Sequence, residues 1–159
     1  MARRIVDQVA AALPTRTIRV ATDGGYATQA FVRDLPPNVE VVGRFFRTGQ
    51  LSQPPPPRVK GQRGAPRKKG DVIGSPKTWA TPAPAWYPHP QAVGAFIQSW
   101  VGIGHSVLPG RLLRVVVVWR PHLDGPAQSK SPKAFGRLQP LEAFCSTEVA
   151  LSAHTILET

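Results

Sequence analysis

Asp23 is the residue in this 159-residue sequence whose type and position best fit a chemical role. It follows the run Thr17–Ala21, which predicts a short buried strand, and it precedes Gly24 and Gly25. Open α/β sheets place ligand sites at the carboxyl ends of parallel strands, where glycines allow close approach to the backbone. The carboxylate could bind a divalent cation there, or it could cap the next helix or close a turn. A single carboxylate cannot by itself hold the two cations used in phosphoryl transfer.

Other reactive side chains lack the spacing that catalysis or metal binding needs. The four histidines lie in separate predicted elements, and none is paired with a cysteine or carboxylate at metal-ligand spacing. The sequence has neither a G-x-S-x-G turn nor a phosphate-binding glycine loop. Cys145 is the single cysteine, so it forms no internal disulfide, and its apolar surroundings predict a small buried hydrophobe.

A second candidate site is the positive charge in the middle of the chain. The sequence has 20 Lys and Arg against nine Asp and Glu, for a net charge of +11. Nine basic residues and one acidic residue lie between Arg44 and Lys77, so this stretch carries +8. Pro54–Pro57 favours an extended polyproline II segment, and the RVKGQRGAPRKKG segment after it predicts a solvated loop. The loop could contact DNA phosphates with little base readout, or it could be only a charged linker. Its candidate DNA-binding residues are Arg58, Lys60, Arg63, Arg67, Lys68 and Lys69.

Aromatic residues follow this basic segment. Trp79, Trp86 and Tyr87 could stack on exposed bases, although such side chains more often pack on a neighbouring sheet.

The elements that must position Asp23 follow a helix–strand–helix–strand order. Apolar residues at helical spacing predict a first helix that ends at Pro14, ahead of the Thr17–Ala21 strand. Tyr26–Leu35 predicts a short helix, and Val39–Phe46 predicts a second strand. A strand, helix and strand within about 30 residues form a βαβ unit, so the two strands should be parallel.

The second half predicts mainly strands. Val93–Ile103 and Leu112–Trp119 flank a Pro-Gly turn signal and predict an antiparallel hairpin. Leu141–Ser146 predicts another strand, and a helix begins at Ser152. No apolar run approaches the roughly 20 residues of a membrane-spanning helix. The polar breaks near the N-terminus and the lone cysteine predict a cytoplasmic protein without a signal peptide.

The string ATDGGYATQAFVRDLPPNVEVVGRF resembles the middle of bacterial insertion-sequence transposases of the DDE (ribonuclease H-like) superfamily. In that family a strand ending in A-D-G/R-x-Y-A carries the second acid of the catalytic triad. The PPPP-R-x-x-G-Q-R-G-x-P-R-K-K-G segment and the later AWYPHP…HSVLPGRLLRVVVVWR…LEAFCSTEVALSAHTIL tract are also similar to these proteins. The resemblance covers nearly the whole chain.

The resemblance implies that Asp23 is a catalytic residue and a ligand for Mg²⁺, in a site where three carboxylates hold two ions for DNA cleavage and strand transfer. The first acid would precede Met1 and the third would follow Thr159, and neither Glu148 nor Glu158 matches the third position. The chain is therefore expected to be an internal transposase fragment, inactive alone. The alternatives are a non-catalytic basic DNA-binding or transposition-regulating module, or a remnant without function.

The resulting fold prediction is an α/β protein with a partial ribonuclease H-like βαβ core. The core spans residues 1–47, a proline-rich basic linker spans 48–90, and a β-hairpin-rich insertion spans 91–140. Residues 141–159 return to the core as a strand and the start of a helix. The strand before Asp23 is expected to have an unpaired edge that could recruit a full-length transposase or a second copy of the chain.

Overall fold

The computed structural model describes residues 2–23, 29–32, 34–61, 63–80, 86–104, 111–121 and 140–158. These residues form a mixed α/β fold built on one eight-stranded sheet. The helices are α1 (Ala2–Ala12), α2 (Gln29–Val32), α3 (Pro76–Trp79) and α4 (Ala153–Glu158). The strands are β1 (Ile18–Thr22), β2 (Val39–Arg44), β3 (Leu51–Ser52), β4 (Val72–Gly74), β5 (Tyr87–Pro88), β6 (Phe96–Gly104), β7 (Leu112–Trp119) and β8 (Leu141–Ser146).

The strand order is β1-β2-β8-β7-β6-β3-β4, and β5 pairs with β6 beside this path. β1 and β2 are parallel, as the βαβ pattern predicts, and the other pairs are antiparallel. The predicted hairpin is confirmed as β6 and β7, and the predicted Leu141–Ser146 strand is confirmed as β8. The helix predicted from Ser152 is also confirmed as α4.

β7 forms the centre of the sheet because both of its faces are covered. Val115, Val116, Val117 and Val118 are each at most 2% exposed. Such a continuous β-branched run is typical of a strand that is buried on both sides. Helices α1 and α2 contribute to the core on one face, and Leu151 and Ile156 cover the other.

The prediction of a buried strand at Thr17–Ala21 is wrong in one respect. The strand exists as β1, but its residues alternate between half-buried and exposed. The reason is its position, because no strand in the described part of the chain pairs with its outer side. Within the predicted Tyr26–Leu35 helix the structure describes α2, and residues 24–28 and 33 lie outside the described ranges. None of the described helices has the length and apolarity needed to cross a membrane.

Candidate nucleic-acid interface

Residues 54–69, here called the basic arm, leave the sheet between two short strands and return to it. β3 and β4 pair in antiparallel register, with Leu51 opposite Gly74 and Ser52 opposite Val72. Beyond the strands, the Gln53 N–H donates to the Asp71 carbonyl at 2.8 Å, and the Gly70 N–H donates to the Gln53 carbonyl at 2.9 Å. The residues that flank the basic arm are therefore hydrogen bonded to each other, which closes its base.

Buried side chains anchor the base of the basic arm. Leu51 and Ser52 are 0% and 1% exposed, because β3 also pairs with β6. The indole N–H of Trp79 donates to the Ile73 carbonyl of β4 at 3.3 Å, and its ring stacks on Trp100 of β6 at 4.1 Å. An unanchored linker would not make these contacts. They hold the base of the basic arm against the sheet.

The turn beside the indole requires glycine. Gly74 has φ +132°, a conformation that L side chains rarely adopt, and the Trp79 ring occupies the space that a Cβ atom would need. Ser75 then caps α3, since its hydroxyl accepts from the Thr78 N–H while the Thr78 hydroxyl accepts from the Ser75 N–H. The segment from β4 into α3 is thus locally specified.

The six predicted DNA-binding residues lie on the basic arm and all are exposed: Arg58, Lys60, Arg63, Arg67, Lys68 and Lys69. No acidic residue occurs between residues 54 and 70. Gly61 and Gly64 have φ +88° and +94°, and the Arg58 guanidinium donates to the Gly64 carbonyl at 3.2 Å. The basic arm therefore presents like charges to solvent.

Two further cations lie together outside the basic arm. The Lys77 N–H donates to the Arg47 carbonyl at 2.9 Å, and both side chains are exposed. The prediction of binding residues omitted both, although they belong to the basic stretch counted in the sequence. The sequence shows that both residues are basic. It does not show that they are neighbours, because only the fold brings residues 47 and 77 together.

The aromatic residues after the basic arm divide between packing and exposure. Trp79 and Trp86 pack against Trp100, and Trp86 also contacts Trp119 at 5.4 Å between ring centroids. Tyr87 is 65% exposed. The structure thus confirms sheet packing for the two tryptophans and leaves Tyr87 as an exposed aromatic ring.

Asp23 lies on the opposite edge of the sheet from the basic arm. It is the first residue beyond β1, and it is exposed. Among the described residues, no three His, Cys, Asp or Glu side chains form a group that could hold a metal ion. Of the three carboxylates that the resemblance implies, the described residues bring Asp23 alone to this edge, so the Mg²⁺ site stays a prediction and no catalytic step through a metal follows from them.

Glu148 has a structural partner on β1. Its carboxylate accepts two hydrogen bonds from the Arg19 guanidinium, at 2.7 and 3.0 Å. The Arg19 side chain lowers the pKa of Glu148 from its ordinary value, mainly through this hydrogen bonding. The pair joins the sheet edge to the turn after β8. Glu158 is the last residue of α4 and is exposed.

Cys145 and His89 are two further reactive side chains that the structure describes. Cys145 is buried as predicted, and desolvation raises the pKa of its thiol to about 12. His89 Nδ1 accepts from the Gln91 N–H at 3.1 Å, and burial lowers the pKa of His89. His105 and His122 lie outside the described residues.

Comparisons with protein-family models, with curated proteins and with solved structures give no match to this chain.

Proposed function

We propose that this chain binds DNA through the basic arm and belongs to a DDE-type transposition system. The observation that carries the proposal is the construction of the basic arm: sixteen residues, closed at the base by hydrogen bonds, with six exposed cations and no carboxylate. The sequence resemblance supports DNA as the polyanion.

The contacts would be made to the phosphate backbone. The cations lie on irregular backbone, not on a helix or strand that could enter the major groove, so binding should depend little on sequence. Each neutralised phosphate releases counterions, and the logarithm of the binding constant falls by about 0.9 per contact for each logarithmic unit of salt. Six contacts give a slope of about −5.

Salt titration of duplex binding tests this proposal. The double substitution Arg63→Gln/Arg67→Gln should reduce the magnitude of the slope by about 2 and weaken binding to unrelated sequences alike. The matched control is Arg4→Gln/Arg16→Gln, which removes the same charge from exposed residues of the first 16 positions. A slope near zero for the unmodified chain, or equal losses in both double variants, would contradict binding through the basic arm.

Magnesium-dependent DNA cleavage is the second candidate function, and the position of Asp23 favours it. The residue follows a strand that is parallel to its neighbour, at the end where α/β sheets place ligands. The described residues bring no second and third ligand to it. Cleavage would need carboxylates from another polypeptide or from the rest of this chain.

A nicking assay on supercoiled DNA separates the two functions. Asp23→Asn should abolish magnesium-dependent nicking if the carboxylate is catalytic. Asp34→Asn is the matched control, because Asp34 is exposed and has φ 54°, a conformation that asparagine tolerates. Salt-dependent binding without nicking would identify a DNA-binding module and reject the catalytic candidate.

A further inference from the structure

The chain exposes an aromatic ring directly after β2. Phe46 is 57% exposed, whereas its neighbour Phe45 is 5% exposed and packs in the core with Val39 and Val41. The backbone is still paired with β8 here, because the Phe45 N–H donates to the Ala143 carbonyl at 2.8 Å. Successive side chains of such a segment point to opposite faces. The Phe46 ring therefore points away from this core and is available to a ligand.

Residues 46–49, here called the aromatic turn, have a backbone that is held from both sides. The Gly49 N–H donates to the Phe46 carbonyl at 2.8 Å, and a Cβ atom at Gly49 would lie only 2.7 Å from the Phe45 ring. The Lys77 N–H donates to the Arg47 carbonyl at 2.9 Å, which ties the aromatic turn to α3. The exposed ring is thus carried on an ordered backbone, which lowers the entropy lost when a ligand binds.

Three exposed cations accompany the ring: Arg44, Arg47 and Lys77. Arg44 lies two residues before Phe46, on the same side of the extended backbone. Its guanidinium is 3.6 Å from the Glu142 carboxylate, and its side chain is 63% exposed. Neither Arg47 nor Lys77 forms an ion pair within the described ranges. The surface therefore offers an aromatic face next to cations that can bind anions.

The surrounding sequence leaves this charge uncompensated. Residues 41–53 and 72–80 contain these three cations and no acidic residue. Glu142, the carboxylate nearest to Arg44, is only 17% exposed and accepts from the Arg120 guanidinium at 2.7 Å. A ligand that combines negative charge with a flat apolar face fits this surface, and a nucleotide has both properties.

The aromatic turn lies close to the basic arm. Gly49 and Pro54 are five residues apart along the chain and are separated by β3, so at most about 18 Å lies between their Cα atoms. Stacked nucleotides of one DNA strand are about 3.4 Å apart, so this distance corresponds to about five nucleotides. One strand can therefore contact the basic arm and the aromatic turn together.

We propose that the aromatic turn binds an unpaired nucleotide of single-stranded DNA. Phe46 stacks on the base, and Arg44, Arg47 and Lys77 contact the neighbouring phosphates. This inference rests on the proposed binding of DNA through the basic arm, and it specifies DNA with a single-stranded segment as the substrate. In a duplex each base is stacked between its neighbours, so Phe46 can reach a base face only in an unpaired segment.

Fluorescence anisotropy of the full chain with three DNA probes tests the base contact. The probes are an oligothymidylate of about 16 nucleotides, an abasic strand of the same length, and a duplex. Phe46→Ala should weaken binding of the oligothymidylate about tenfold and leave the other two probes unchanged. Phe46→Trp should keep the affinity, because it keeps a stacking face. Tyr87→Ala is the matched control, since it removes an exposed ring outside the aromatic turn, and it should change nothing.

The phosphate contacts are tested separately by salt titration with the single-stranded probes. Arg47→Gln/Lys77→Gln should reduce the magnitude of the salt slope by about 1.4 for the oligothymidylate and the abasic strand alike. The preference for oligothymidylate over the abasic strand should remain, because Phe46 is intact. Arg4→Gln/Arg16→Gln removes the same charge elsewhere and should leave the slope unchanged.

Equal affinity of the unmodified chain for oligothymidylate and the abasic strand would overturn the proposal. Unchanged oligothymidylate binding in Phe46→Ala, or an equal loss in Tyr87→Ala, would do the same. Tighter binding of an RNA strand of equal length would overturn DNA as the ligand. If Arg63→Gln/Arg67→Gln weakens duplex binding while Phe46→Ala changes nothing, this inference alone fails. If the double substitution in the basic arm has no effect, the proposed function itself fails.

Discussion

The two edges of the sheet differ in the kind of surface that they present. At one edge, β3 and β4 carry a basic arm with six exposed cations. At the other, no described strand pairs with the outer side of β1, and Ile5 and Val9 of α1 are exposed, within residues 1–43 of net charge +1. The excess charge of the protein is therefore concentrated in one region and is not a general property of its surface.

This separation gives the two regions different surface chemistry. Exposed cations without nearby carboxylates attract phosphates through counterion release. An open strand edge and exposed apolar side chains are instead covered by further polypeptide, which supplies hydrogen bonds and buries apolar area, and do not by themselves attract phosphate. A substitution at one edge should therefore leave the other edge unchanged as long as the strands between them stay intact.

The largest expected effect comes from the centre, where one substitution should disrupt both edges. Arg120 is buried and bonds to Glu142 at 2.7 Å, with side chains 10% and 17% exposed. Glu142→Ala would remove the carboxylate to which this buried guanidinium bonds and should lower the free energy of unfolding by about 3–5 kcal/mol. Urea denaturation measures the loss, and hydrogen exchange should increase at both edges.

Two variants check the cause of that loss. The double substitution Arg120→Met/Glu142→Leu removes both charges and should restore most of the stability. Asp7→Ala breaks the more exposed Arg3–Asp7 pair and should change stability by at most about 0.5 kcal/mol. Equal losses for Glu142→Ala and Asp7→Ala would contradict the role of burial.

A smaller effect should be confined to the edge that carries the basic arm. Trp79→Ala removes the stack on Trp100 and the hydrogen bond to the Ile73 carbonyl. We expect a loss of about 2–3 kcal/mol, faster hydrogen exchange in β3 and β4, and weaker DNA binding. Exchange in β1 should stay unchanged. Tyr87→Ala, at an exposed ring, is the control and should be nearly neutral for stability.

The converse prediction concerns the β1 edge. The Asn38 side-chain amide donates to the carbonyls of Ala10, Leu13 and Arg16, which ties the end of α1 to the start of β2. Asn38→Ala should cost about 1–2 kcal/mol and loosen α1 without changing the salt dependence of DNA binding. Gln8→Ala removes an exposed amide from α1 and should be neutral. Loss of DNA binding in the Asn38 variant would show that the edges are coupled.

The smallest effect is a pH dependence that originates near β1. Arg19 lowers the pKa of Glu148 in the folded protein below its ordinary value of 4.5. The unfolded chain therefore binds the proton more tightly, so the stabilisation is present above pH 4.5 and is lost as pH falls through the lowered pKa. Glu148→Gln should flatten this part of the stability profile in urea titrations. An unchanged profile would show that the exposed pair contributes nothing measurable.

Local sequence signals predicted several elements well. The predicted Leu141–Ser146 strand has the same bounds as β8. Its prediction was unambiguous because the apolar residues of this segment do not recur at helical spacing. The β6–β7 hairpin followed from two apolar runs around a turn signal. By contrast, β3 and β4 have two and three residues, too few for a hydrophobic period, so the fixed base of the basic arm could not be predicted.

The pairing of β2 with β8 also could not be predicted, since almost 100 residues separate them in the chain. Their contact depends on long-range packing, for which the sequence carries no local signal. The same limit applies to Glu148, whose partner Arg19 lies 129 positions away. Sequence reasoning could suggest a role for Asp23 but could not tell whether other carboxylates reach it.

The sequence by itself determined where the charge lies, which segments favour helix or strand, and that the basic arm has no carboxylate of its own. These properties depend on residue type and short spacing alone. Only the tertiary structure decided that the basic arm and β1 occupy opposite edges of one sheet. It also decided that Val6 and Ala10 are buried in α1 while Ile5 and Val9 are exposed. All four belong to one apolar helical pattern, and burial depends on which face of the helix meets the sheet.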